Sequence, residues 1–119
     1  MNLKMSEGEL LENILDCAQK TGWLRAHFRS VETKNKGWQT PVQADGAGFP
    51  DIVLVRERVI YAEVKSGIGK LSKLQEDWLG ALSDAGQEVY VWSPREWYAG
   101  TIQKILTKRL ENQTKKMEE

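Results

Sequence analysis

Two apolar runs, Ile52-Val53-Leu54-Val55 and Val59-Ile60-Tyr61-Ala62, are separated only by Arg56-Glu57-Arg58. A link that short predicts an antiparallel hairpin, with strands over 51–55 and 59–65. The hairpin carries charge where apolar side chains would pack better. Asp51 opens the first strand, Glu63 is embedded in the second, and Lys65 follows it. Side chains alternate along a strand, so Glu63 and Lys65 share a face with Val59 and Tyr61. If the turn is centred on Glu57, Asp51 stands directly opposite Glu63, with Cβ atoms about 4.5–5.5 Å apart. A two-residue turn would shift the register and separate them.

Two carboxylates at that distance destabilise a sheet unless a shared proton, Lys65 or a divalent cation neutralises them. Oxygen-only ligands suit Mg²⁺ or Mn²⁺ over zinc. A cation so held polarises a phosphodiester and lowers the pKa of a bound water. Lys65 could position or deprotonate that water, or stabilise charge building on phosphorus. The spacing is therefore either a phosphodiester-hydrolysis site in outline or an ion pair exposed on a half-solvated sheet face.

The flanking segments supply helices. Residues 6–20 place Leu10, Leu11, Ile14, Leu15 and Ala18 on one face, with Ser6 and Glu9 forming a capping box and Gly22 as stop. Glu7 projects from the middle of that apolar face, whereas Glu9, Glu12 and Asp16 project from the opposite one. Residues 23–29 read as a strand and 30–47 as a long loop without periodicity. Residues 72–85 form a second helix between Ser72 and Gly86, and Gln75 stands where it could close a capping box. A fourth strand follows at 89–92, a proline-initiated helix start at 93–96, and a last helix at about 101–110. Residues 111–119 read as frayed helix or disorder, so a single domain over 1–110 with a polar tail is expected.

Charge is balanced overall, with 17 basic and 17 acidic residues, so net charge points to no polyanionic partner. It is uneven locally. From Lys20 to Thr40, Lys20, Arg25, Arg29, Lys34 and Lys36 stand against Glu32 alone. That segment is either an electrostatic footprint for nucleic acid or a solvated loop. Within it His27 could touch a phosphate, and Trp38 is the better base-stacking residue. Trp78, Tyr90 and Trp92 fall on packing positions. Gly67-Ile68-Gly69-Lys70 lacks the spacing of a phosphate loop and reads as a flexible turn, leaving Lys70 and Lys73 for DNA phosphates. The single cysteine, Cys17, excludes an intrachain disulfide and fits a cytosolic setting. No export signal or membrane-length apolar run is visible.

Pro50-Asp51, eleven residues, then Glu63-Val64-Lys65 resembles the PD-(D/E)XK nuclease signature. The wider pattern resembles the VRR-NUC (virus-type replication-repair nuclease) family from the first helix to about Trp97: GAGFPDIVLV, VIYAEVKSGIGKLSKLQEDWLGAL, then GQEVYVWSP. The resemblance implies an α/β, restriction-endonuclease-like core in the order α-β-β-β-α-β, a mixed sheet flanked by helices. It implies a metal-dependent DNA endonuclease using Mg²⁺ or Mn²⁺. Asp51, Glu63, the Val64 carbonyl and Glu7 would be the metal ligands, and Lys65 the catalytic lysine. Gln75 would support the site, although its capping position explains it about as well.

Stand-alone members resemble Holliday-junction resolvases, which makes branched DNA the expected substrate and a homodimer the expected assembly. The resemblance also points to a bacterial or phage-infected cytoplasm. A nicking or flap endonuclease with less structure preference, and a non-catalytic DNA-binding module that kept the fold, are the alternatives.

Overall fold

The computed structural model describes residues 4–28, 31–33, 37–39, 42–67 and 69–110. Helix α1 (Glu7–Lys20) starts from a reciprocal capping box between Ser6 and Glu9. It buries Leu10, Ile14 and Ala18, a spacing of four that keeps one stripe against the sheet. Four strands form the main sheet in the order β1 (Leu24–His27), β4 (Ile52–Val55), β5 (Val59–Val64) and β6 (Glu88–Trp92). β1–β4 and β4–β5 are antiparallel and β5–β6 is parallel, the crossover running through α2 (Lys73–Asp84). Two short helices, α3 (Pro94–Tyr98) and α4 (Thr101–Thr107), close the described chain.

The core is one-sided. Ile52, Leu54, Ile60, Ala62, Val64 and Trp92 of the sheet pack with the α1 stripe and with Ile102 and Leu106 of α4. Residues 59, 61 and 63 alternate to the other face, where α2 meets β6. No residue of α2 is fully buried, so that face is the thinner layer. The arrangement is an α/β, restriction-endonuclease-like fold with a mixed four-stranded sheet flanked by helices.

The hairpin register is the expected one. Ile52 pairs with Ala62 and Val55 with Val59, so the link is Arg56-Glu57-Arg58, and one further step brings Asp51 opposite Glu63. The loop expected over 30–47 is corrected in part: β2 (Val31–Thr33) and β3 (Gly37–Gln39) pair there as a separate two-stranded sheet. A three-residue strand shows one alternation only, too little for a periodicity to register. Elsewhere element ends differ from expectation by one or two residues. The exception is α4, which stops at Thr107 because Lys108 turns to an extended backbone.

Candidate active site

The two carboxylates of the hairpin are held differently. Asp51 lies just before β4, after the fully buried Pro50. Its carbonyl accepts from the Phe28 N–H at 2.9 Å, which continues the β1–β4 pairing past its last ladder residue. Its Oδ2 accepts from the backbone N–H of Val64 at 2.8 Å. The carboxylate is thus tied to the far strand by a charge-assisted bond and has little rotational freedom.

Glu63 is 2% exposed, the one charged residue in the buried set among the described residues. Its Oε2 accepts from Gln75 Nε2 at 2.9 Å. Gln75 is the third residue of α2, and its Oε1 accepts from the Ser72 N–H at 2.9 Å while Ser72 Oγ accepts from the Gln75 N–H. That bond decides which end of the amide faces Glu63. Turned over, the NH₂ would meet another N–H and the oxygen would meet a carboxylate. The capping role and the supporting role of Gln75 are one arrangement.

The other oxygen of Glu63, Oε1, is buried and has no hydrogen-bond partner among the described residues. A buried carboxylate oxygen without a donor is costly, so it marks a position that a proton or a cation fills. Burial pushes the Glu63 carboxyl up to about 8, the adjacent Asp51 carboxyl adds to the rise, and the Lys65 ammonium opposes it. Without a cation the Glu63 carboxyl therefore favours its protonated form near neutrality. Lys65 is half-buried just beyond β5, its N–H donating to the Trp92 carbonyl at 2.9 Å.

A cavity of about 220 Å³ opens beside Asp51 and is lined by Glu7, Gly8, Leu11, His27, Phe28, Asp51 and Val64. Glu7, the first residue of α1, is brought to it from the side of the sheet opposite α2. No three His, Cys, Asp or Glu side chains among the described residues are close enough together to form a metal cluster. Asp51 adjoins Glu63 and shares a cavity with Glu7, but the expected trio is not gathered at one point. The donor set of Asp51 and Glu63 still fits a hard divalent cation: both ligands are oxygen, one is unpartnered, and Mg²⁺ is commonly held by one or two carboxylates plus waters.

Of the expected DNA-contacting residues, His27 lines the cavity, and Arg25 on β1 donates to the Leu15 carbonyl at 3.3 Å. Lys70 is exposed, and Lys73 is exposed and pairs with Asp77 one helical turn on. Arg29, Lys34 and Lys36 lie outside the described residues, as does the side chain of Trp38. Three lining residues, Gly8, Leu11 and Phe28, had no place in the sequence reading of the site, and Gly8 offers only backbone beside Glu7. Leu11 stands one turn after Glu7, so the helical wheel carried its signal. Phe28 sits at a strand end beside an aperiodic segment and gave none. Cys17 is half-buried, and burial pushes its thiol up, which leaves it a poor nucleophile.

Among the described residues no helix is long and apolar enough to cross a membrane. Compared with known proteins, residues 1–95 match the family model of the VRR-NUC domain. No curated protein and no solved structure matches the chain.

Proposed function

The chain belongs to the VRR-NUC domain family and is a nuclease domain, and on that premise we propose that it cuts DNA with Mg²⁺ or Mn²⁺ held by Asp51 and Glu63. The supporting observation is the buried, unpartnered Oε1 of Glu63 beside Asp51. A bound cation would polarise the phosphodiester and lower the pKa of an attacking water. The chain's own residues do the rest. Val64 fixes the Asp51 carboxylate through its N–H, and its carbonyl is a further candidate ligand. Gln75 fixes Glu63, so neither ligand has to be reorganised on binding. Lys65 places a positive charge next to the carboxylate pair, where it assists the nucleophile or stabilises charge on the phosphoryl oxygens. Glu7, from across the cavity, accepts hydrogen bonds from water at the site.

The test is cleavage of labelled four-way junction, flap, nicked and linear DNA with Mg²⁺, Mn²⁺ or Ca²⁺, with Asp51→Asn alongside. Metal-dependent cutting lost in Asp51→Asn is expected. Cutting at the wild-type rate in that variant would remove the assignment. The non-catalytic alternative requires no Mn²⁺-dependent thermal stabilisation that Asp51→Asn abolishes.

Preference for junctions and a two-fold homodimer go together in this proposal, because symmetric cutting of two strands needs two sites and one domain this small carries one. Junction cleavage by a species eluting at the mass of one chain would separate them. A bacterial or phage-infected cytoplasm completes the proposal.

A further inference from the structure

A second cavity, of about 560 Å³, lies next to the first and shares one wall with it. Phe28 lines both. Phe49 lines the larger one and is separated from Asp51 by Pro50 alone. Its ring is the hub of an aromatic cluster, edge-to-face with Phe28 at 5.4 Å, with Trp78 at 5.0 Å and with Tyr61 at 6.1 Å between centroids. The turn around Val42, Gln43 and Asp45 supplies the rest of the described lining.

The cavity is preformed. Trp78 Nε1 donates to the Asp45 carbonyl at 2.9 Å, tying α2 to the turn. Gly48 has φ +87°, and a Cβ built there would lie 2.6 Å from the Leu74 carbonyl carbon, so the turn sits on the α2 backbone itself.

We propose that this aromatic pocket receives an unpaired nucleobase of the DNA strand engaged at the Asp51–Glu63 site. The proposal rests on the nuclease reading and narrows its substrate class. Among the described residues lining the cavity Asp45 is the one charged group, and it is acidic, which disfavours a phosphate beside it and leaves room for a neutral group. Aromatic walls suit a flat ring, because every base has a π-face to stack. The Gln43 amide and the Asp45 carboxylate lie at the turn, where the edge of a base could find a donor and acceptors. Continuity through Phe28 puts the base next to the reacting phosphate, leaving the phosphate to the cavity that holds Asp51. Branch points and flaps supply an unpaired base without the cost of unstacking a duplex, so the pocket favours them over fully paired DNA.

The experiment measures equilibrium binding by anisotropy in Ca²⁺, using a flap DNA in which each nucleotide near the branch is made abasic in turn. Wild-type protein is compared with Phe28→Leu, which keeps apolar volume at a residue 39% exposed, and with Trp78→Phe as a second variant. Removing the base at one position should weaken wild-type binding about tenfold, the worth of one base–aromatic stack. Phe28→Leu should weaken intact DNA by a similar factor and lose nothing further at that position. A 2-aminopurine there should be quenched on binding by the wild type and remain bright with Phe28→Leu. Losses equal at all positions, or losses that multiply between the abasic site and Phe28→Leu, overturn the pocket. Melting curves show whether each variant is folded. Metal-dependent cleavage with no position-specific loss overturns the pocket and leaves the nuclease assignment standing. Absent cleavage of every DNA, with or without the pocket signal, overturns the nuclease assignment.

Discussion

The β4–β5 hairpin carries charge at both ends, and the two ends treat it in opposite ways. At the turn, Arg56 donates to the carbonyls of Thr21, Leu106 and Lys108, and Arg58 donates to Glu88 and to the carbonyls of Ile105 and Lys108. Both guanidinium groups lie over the Trp23 ring, 4.3 and 5.0 Å from its centroid. Glu57 accepts from Arg56, Arg58 and the Leu110 N–H. Every charge there has partners, and the network ties the turn to the last helix. At the open end, Glu63 is more deeply buried, faces a second carboxylate and keeps one oxygen without a partner among the described residues. A satisfied polar network rigidifies a fold, whereas an unsatisfied buried group marks a site awaiting a ligand. Counting charged residues would rate the two ends alike, whereas counting their partners separates structure from chemistry.

The difference is broken most directly by one substitution at each end. Lys65→Ala should lower kcat by about 10²–10³, the usual cost of removing a group that stabilises transition-state charge, and leave the melting temperature near wild type. Arg56→Ala should do the reverse, costing about 3 kcal/mol of stability in urea titrations by stranding carbonyls and Glu57. Its activity per folded molecule should be unchanged. If Arg56→Ala abolished chemistry in folded protein, or Lys65→Ala unfolded it, the division between the ends would fail.

A smaller effect tests the open end alone. Gln75→Glu retains a residue able to close the capping box, so the start of α2 should hold. It also sets a carboxylate against Glu63 where a donor stood, and activity should fall by about 10–100-fold, as when a group supporting a ligand is lost. Helix stability and activity falling together in proportion would mean that Gln75 acts as a cap only.

The smallest effects are in pH dependence, and the two ends should differ in sign. The Arg56 guanidinium beside Glu57, with the Leu110 N–H, holds that carboxyl well below its usual range, and Arg58 and Arg109 also face it. A lowered pKa means that the unfolded state binds the proton more readily. The contribution of Glu57 is therefore present above its ordinary 4.5 and lost as pH falls below it. Glu63, raised to about 8 by burial and by Asp51 against the opposing pull of Lys65, stabilises the chelator-treated protein below 4.5 and ceases to do so as pH climbs towards 8. Melting curves across that range should show Glu57→Gln flattening the acid limb and Glu63→Gln flattening the alkaline one. Divalent cation should restore stability on the alkaline side only. Equal slopes in both variants would erase the contrast.

What could be read from the chain followed from short-range rules. The three residues between two apolar runs set a register that brings Asp51 opposite Glu63. Ser6 with Glu9 and Ser72 with Gln75 marked two helix starts, because capping is a contact over three residues. The wheel singled out Glu7, and the structure places it in the cavity with Asp51. The strand pair at 31–39 escaped because its strands are too short to show a period.

The chain by itself thus determined its helices and longer strands, the register of the β4–β5 hairpin and the meeting of Asp51 with Glu63, since alternation, helical pitch and capping act between near neighbours. Only the tertiary structure decided what those groups mean. The arginines of the turn reach carbonyls some 50 residues away, and Gln75 crosses from another layer to one oxygen of Glu63 and leaves the other bare. Phe28, Phe49 and Trp78, from a strand end, a turn and a helix, meet in one wall. Desolvation and hydrogen-bond satisfaction depend on every group that packing brings within reach, and no local pattern in the chain encodes that sum.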